Sequence, residues 1–419
     1  MDTELFGELL AEIEQIPAID IHTHIRADSP AASDLSEVML YHYIKTELES
    51  AGVKPEIFES EGAKKRVAEA AKFMPRIANT TTYWCLSRIL ADLYGAGAPA
   101  ECDIEELCGK VEQARSSATW ASDALKRAGV EKAFVTCEWH RPLPKTSDEF
   151  LPTLRIDSLI NEAHMPRTLD RLTEITEQTV YEVAELKKAI AQLFRQAKEA
   201  GCVAVAASFE PNVDFEEGSR DAADRILSLV LLGQKTNRED RKAIRSYVMD
   251  LVLSACAEHG LTFQLMLGVR RTRGNGSAIT AFEPTMLSMY ADLFARSAGV
   301  RFDVMTASAL LAHELAVISR NYRNVYLSGY WWFAMFPEHI RKMIRERVQM
   351  LPMTKSCGFF SDAYCVEWIY GKSKLVRREL AFALAQMVEE GYLDKGTAVE
   401  TARHYLWENP RRVYRLGES

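Results

Sequence analysis

Eight short runs of apolar and β-branched residues recur along the chain, separated by longer stretches with helical periodicity. This alternation restricts the fold more than any other feature of the sequence. The runs are Ala18–His22, Lys132–Thr136, Leu154–Asp157, Val203–Ser208, Thr262–Leu267, Phe302–Met305, Val325–Ser328 and Gly358–Ser361. Most are apolar throughout rather than alternating, which suits parallel strands covered on both faces. Thr179–Glu199, Ser219–Leu232, Arg241–His259, Pro284–Ala298, Ala307–Arg320 and Pro337–Met350 read as helices between them, and Leu375–Tyr405 as a further helical run over the barrel or its bottom. The pattern predicts an α/β chain folded as a (β/α)8 TIM barrel. A doubly wound open sheet is the alternative, but no GxGxxG turn follows the first run.

The spacing is uneven. Between Ile25 and Gly129 the pattern is strongly helical with little strand signal. We expect one domain over 1–419 with a helical insertion at about 26–128, at the C-terminal mouth of the barrel, where loops carry function. The hydrophobic fraction of 47% supplies a large core. A net charge of −8, with both signs interspersed, argues against a nucleic-acid-binding role. The short cluster Arg270-Arg271-Thr272-Arg273 reads as a solvated loop or a local anion contact. No run is long and apolar enough for a membrane helix, and no secretory signal is visible. The eight scattered cysteines form no CxxC pair and read as reduced thiols, so a cytoplasmic protein is expected.

The densest chemistry lies in Pro17-Ala-Ile-Asp-Ile-His22-Thr-His24. Alternate residues of a strand face the same way, so His22 and His24 project together, a spacing that suits a divalent metal. Two satisfied core histidines would look the same. The position at the end of the first strand favours the metal. Asp362, ending the eighth run beside the first in a closed barrel, is the best third ligand, with a helix N-cap as its plainer role. Two histidines and one aspartate leave positions open for water or substrate, as a catalytic ion requires.

This arrangement resembles the amidohydrolase superfamily, and further motifs narrow the resemblance. Leu40-Tyr41-His42-Tyr43, Asn79-Thr-Thr-Thr-Tyr83-Trp84, Leu154-Arg155-Ile156-Asp157, Ser328-Gly329-Tyr330-Trp331-Trp332-Phe333 and Ser361-Asp362-Ala363 occur in that order. Together they are similar to the HY, Asn-x-x-x-Tyr-Trp, RxD, G-x-WWF and (S/T)D elements of uronate isomerases, in a shorter and divergent branch. The resemblance implies an aldose–ketose isomerase interconverting glucuronate or galacturonate and the 2-keto isomer by metal-assisted proton transfer. It implies one divalent ion, zinc being expected, held by His22, His24 and Asp362. Asp362 and His42 would be catalytic. Arg155 would bind substrate oxygens, with Trp331 and Trp332 as a wall of the pocket. Homo-oligomerisation is compatible with the resemblance, and the partner expected is an acidic sugar.

Each residue has a plainer reading. Arg155 and Asp157 read equally as a structural ion pair, His42 as an interfacial core residue, and tryptophans after a strand usually pack. His313 reads as structural, and His140 lies near the mouth if the second strand is placed correctly. The chain also departs from the family. Tyr364 stands where the family has the Arg that helps bind the carboxylate, and a phenol cannot replace a guanidinium. Tyr364 would then face the substrate itself, and either another cation, such as Arg26, Arg141, Arg270 or Lys372, would take the charge or the substrate has changed. A single-metal hydrolase of a sugar-acid ester, lactone or amide is the first alternative. Against it, the middle strand ends carry Ser208, Met266 and Thr306 rather than His or Lys. A non-catalytic barrel that only binds is the second.

Overall fold

The computed structural model describes residues 2–144, 147–273 and 277–417. Its centre is eight parallel strands: β1 Ala18–Thr23, β2 Val130–Glu138, β3 Phe150–Arg155, β4 Ala204–Ser208, β5 Thr262–Leu267, β6 Phe302–Thr306, β7 Val325–Ser328 and β8 Ser356–Cys357. Each pairs with the next in chain order. The ring closes through two main-chain bonds beyond the end of β8. The Asp362 N–H donates to the His22 carbonyl at 3.0 Å, and the His24 N–H to the Ala363 carbonyl at 2.8 Å. The architecture is the (β/α)8 barrel that the alternation predicts.

Two strands depart most from the sequence reading, and the others shift by at most two residues at an end. Gly358–Ser361 lies outside the ladder because its main chain bonds elsewhere. The Gly358 N–H donates to the Tyr405 carbonyl at 2.7 Å, and the Ser361 N–H to the Asp20 carboxylate at 2.9 Å. The third strand begins earlier than read, at Phe150, and ends at Arg155, while Asp157 opens the short helix Asp157–Asn161. A two-stranded ribbon, Val269–Arg271 paired with Ala278–Thr280, follows β5 and was not predicted.

The segment between β1 and β2 is helical, with helices Leu35–Met39, His42–Ser50, Ala63–Ala71, Thr81–Tyr94, Ile104–Ser116 and Trp120–Ala128. They share one apolar core with the helix Val366–Glu389. Glu367 ties that helix to the insertion, accepting from the Tyr94 hydroxyl at 3.0 Å, the Trp120 indole at 2.8 Å and the Ala32 N–H at 3.1 Å. The barrel interior packs Ile19, Ile21, Phe134, Ala204, Ala206, Met305 and Phe360. The small side chains of Ala204 and Ala206 leave space at the N-terminal end of the strands. Val413 and Tyr414 fill it from the C-terminal segment. Among the described residues no helix is long and apolar enough to cross a membrane, and the eight cysteines are unpaired.

Gly329 turns the chain from β7 into the Tyr330-Trp331-Trp332 run with φ of 54°, and a Cβ there would lie 2.0 Å from the Phe360 ring. Gly329→Ala combines backbone strain with overpacking. It should lower stability by about 2–4 kcal/mol, read as a shift in the denaturant midpoint at unchanged m-value. A wild-type midpoint would mean that the turn can relax.

Candidate metal centre and active-site cavity

The closing seam of the barrel brings the predicted metal ligands together. His22 and His24 stand two residues apart at the end of β1, their rings edge to face at 5.2 Å. Asp362 faces them across the seam with φ of 56°, in the left-handed region that Asp tolerates better than most residues. Its Oδ1 lies 3.2 Å from His24 Nε2, and one ligand atom from each of the three residues falls within 4.8 Å of the others. This is the one such cluster among the described residues.

The surroundings set the protonation of His22. Its Nδ1 is 3.1 Å from Gln264 Oε1. Gln264 Nε2 donates to the Ile21 carbonyl at 2.7 Å, so the amide oxygen must face the imidazole. Nδ1 therefore carries the hydrogen, and Nε2 keeps a lone pair. That atom is buried with no protein partner, which a buried polar group tolerates poorly unless something else binds it. Burial, reinforced by the charge of His24, lowers the His22 pKa to about 4, so the ring is neutral, as a ligand must be. Burial would raise the Asp362 carboxyl, but the His24 hydrogen bond and the nearby charges of His24 and Lys372 hold it well below the usual carboxylate range. An orphaned imidazole nitrogen, a second imidazole and an ionised carboxylate fit a divalent cation.

Asp362 is braced from the insertion. The Tyr43 hydroxyl donates to Oδ2 at 3.2 Å and the Tyr41 hydroxyl to the main-chain oxygen at 2.8 Å. Lys372 donates to the Tyr41 hydroxyl at 2.9 Å and to the Ser361 carbonyl at 2.6 Å. Burial lowers its pKa to about 8. Asp20, raised to about 7 by burial, holds the Ser361 N–H from the other side.

Above the seam opens a cavity of about 830 Å³. It gathers His24, His42, Arg155, Trp331, Trp332, Asp362 and Tyr364, all predicted site residues. His22 lies beneath its floor. The His42 ring lies among those of Tyr41, Tyr43 and Tyr364, at 4.2, 4.1 and 5.2 Å. Burial, then the charge of Lys372, lowers its pKa to about 3, so it enters any reaction neutral. Arg155 is aimed by Asp157, Nε to Oδ2 at 2.6 Å. Burial opposes its charge, but Asp157 and Glu138 together raise its pKa. Tyr364 stacks on His24 at 5.0 Å and is still about half exposed at 53%. Trp332 has φ of 46°, the second left-handed non-glycine in the site.

The extra cations fall out differently from expectation. Arg26 is exposed and pairs with Asp28 at 3.2 Å, and Arg141 lines a separate cleft beside Trp139. Lys372 is committed beneath the seam. Arg270 lies outside the cavity, whereas its neighbour Arg271 lines it, with its guanidinium 5.9 Å from the Trp332 ring centroid. Sequence reading missed Arg271 and Gln264. The basic cluster was the only signal for the first. His140 and His313 lie outside the cavity, the latter paired with Glu346 at 2.5 Å. Ser208 and Met266 line it and add no metal-binding nitrogen.

The family model for glucuronate isomerase matches residues 1–279. The chain belongs to the glucuronate isomerase family. Among curated relatives, a uronate isomerase of Thermotoga neapolitana is 22% identical over 436 residues, covering 97% of this chain and 96% of that protein. Solved structures with this fold include the uronate isomerase of Thermotoga maritima, with a TM-score of 0.88 at 19% identity, covering 99% of this chain and 98% of that one. Another is the uronate isomerase of Bacillus halodurans, with a TM-score of 0.81 at 20% identity, covering 99% and 97%. Membership in the glucuronate isomerase family makes the chain an aldose–ketose isomerase, and sets aside the hydrolase and the non-catalytic barrel.

For this member of the glucuronate isomerase family, His22→Ala or His24→Ala should abolish retention of a divalent ion, measured by elemental analysis after dialysis. Full metal content in either variant would remove that histidine from the centre.

Proposed function

We infer that the protein interconverts an aldose uronate, glucuronate or galacturonate, and its 2-keto isomer, with one divalent ion held by His22, His24 and Asp362. Zinc suits two imidazoles and a carboxylate. The observation that carries the reading is the convergence, at and just beneath the floor of one cavity, of this triad with a neutral His42 and two arginines. A uronate needs both halves. Its carbonyl end requires stabilisation of enediolate charge, and its carboxylate end requires fixed cations.

The bound ion would supply Lewis-acid polarisation of the carbonyl and the neighbouring oxygen. The chain's own residues do the rest. Asp362, ionised and held by Tyr43, takes the proton from C2 of the open-chain aldose and returns it to C1. The hydroxyl proton moves from O2 to O1, and the sum is isomerisation without any other reactant. Neutral His42 offers an N–H to a sugar oxygen and a lone pair to a hydroxyl proton. Arg155 and Arg271 grip the carboxylate, Arg271 taking the charge that Tyr364 cannot. Tyr364 and the Trp331–Trp332 wall stack against the sugar's apolar face and narrow the access of water.

Purified zinc-loaded protein should form ketose from D-glucuronate or D-galacturonate and not from glucose or galactose. Turnover of the neutral sugars at equal efficiency would sink the anionic half of the site. Arg155→Met and Arg271→Met should each lower kcat/KM for the uronate by roughly 10- to 100-fold, the worth of a charge-assisted hydrogen bond. An unchanged kcat/KM would mark that arginine as structural.

A further inference from the structure

The chemistry above uses His22 but not the polar chain that runs beneath it. Gln264, on β5, meets His22 at one end of its amide, and at the other donates to the Ile21 carbonyl at 2.7 Å and to the Tyr414 hydroxyl at 2.9 Å. Tyr414 enters from the N-terminal end of the barrel. Its segment is anchored where the Thr262 hydroxyl donates to the Val413 carbonyl at 2.6 Å, and its ring packs edge to face on Phe134 at 4.8 Å. Its hydroxyl donates to Asp303 Oδ2, while the Ser328 hydroxyl donates to Oδ1 at 2.5 Å. Gln264 and Asp303 are fully buried and Tyr414 nearly so.

Every donor and acceptor in this chain has a forced direction. Burial raises the Asp303 pKa to about 6, so above that pH its carboxylate only accepts, and the Tyr414 hydroxyl gives its hydrogen there and turns a lone pair to Gln264. A flipped Gln264 amide would set its oxygen against two acceptors, the Ile21 carbonyl and that lone pair. It would also present its NH2 to His22 Nδ1, force the imidazole hydrogen onto Nε2, and so block the ligand atom. We propose that Tyr414, acting through Gln264, is a positioning residue that fixes the tautomer of His22 and thereby the affinity of the metal centre. The inference rests on the metal-centre reading given above.

The test uses the purified full chain, stripped of metal, with zinc affinity measured by competition with a chromophoric chelator and visible spectra recorded for the cobalt-loaded protein. Tyr414→Phe removes one oxygen and keeps the ring. It should weaken zinc binding by about 10-fold and alter the cobalt bands, and Gln264→Leu should weaken binding by about 100-fold, the span seen when partners of metal-bound histidines are lost. Thr262→Val removes the other anchor of the same segment. It should lower Tm while leaving zinc affinity and the cobalt spectrum unchanged. Wild-type affinity and spectrum in Tyr414→Phe would overturn the proposal, as would an equal loss of affinity in Thr262→Val. If Tyr414→Phe fails to fold, Gln264→Leu decides by the same measurements. Failure of the underlying centre would look different: the wild type would bind no ion, or His22→Ala would keep it, and the proposal would fall with the centre.

Discussion

Two hydrogen bonds close this barrel, from Asp362 N–H to the His22 carbonyl and from His24 N–H to the Ala363 carbonyl. Three of these four residues, His22, His24 and Asp362, are the candidate metal ligands, so the seam of the fold and the candidate centre are one object. The seam is short and irregular, since β8 contributes only Ser356–Cys357 to the ladder. It also holds Asp362 in the left-handed region, at a cost on the order of 1–3 kcal/mol. Asp20, Lys372 and Tyr41 hold the surrounding backbone through hydrogen bonds that offset this strain. Bracing from both the first strand and the insertion is what allows a strained carboxylate to stay aimed.

The alternation of apolar runs made the barrel legible, because parallel strands buried on both faces must be apolar throughout. His22 and His24 were legible for a simpler reason: strand periodicity is two, and they are two apart. Asp362 followed from ring closure. The rest depended on tertiary placement that no local pattern encodes. Arg271 sits in a three-residue strand, too short to show alternation. Its ribbon turns Arg271 into the cavity, while Arg270 lies outside it. Gln264 gave no local signal of its role because its partners are a strand on the far side of the barrel and a segment 150 positions away. Gly358–Ser361 has strand composition, yet its amide groups find the Tyr405 carbonyl and the Asp20 carboxylate before they find a ladder.

The cavity sorts its charges by depth. At the floor, burial strips charge from the imidazoles of His22 and His42, while hydrogen bonding and neighbouring charge keep Asp362 ionised. Towards the rim, cationic charge is retained: Arg155 is paired with Asp157, and the ribbon that carries Arg271 is tied to Glu210 by the Arg271 N–H at 3.1 Å. The rim is therefore cationic, and the floor carries neutral imidazoles beside one ionised carboxylate. Tyr364, stacked on His24, marks the boundary between the two zones.

The path from Asp303 through Tyr414 and Gln264 to His22 has a consequence for how the molecule is assembled. The triad joins residues 22 and 362, and its support reaches residue 414. Loop closure over such separations comes late and slowly. A partly folded or partly synthesised chain therefore presents two histidines without their carboxylate, and a His22 ring with no fixed tautomer. Cation capture is thus coupled to completion of the barrel rather than to its initiation. An ion held by that triad would stabilise the finished fold by mass action rather than seed the first collapse of the chain.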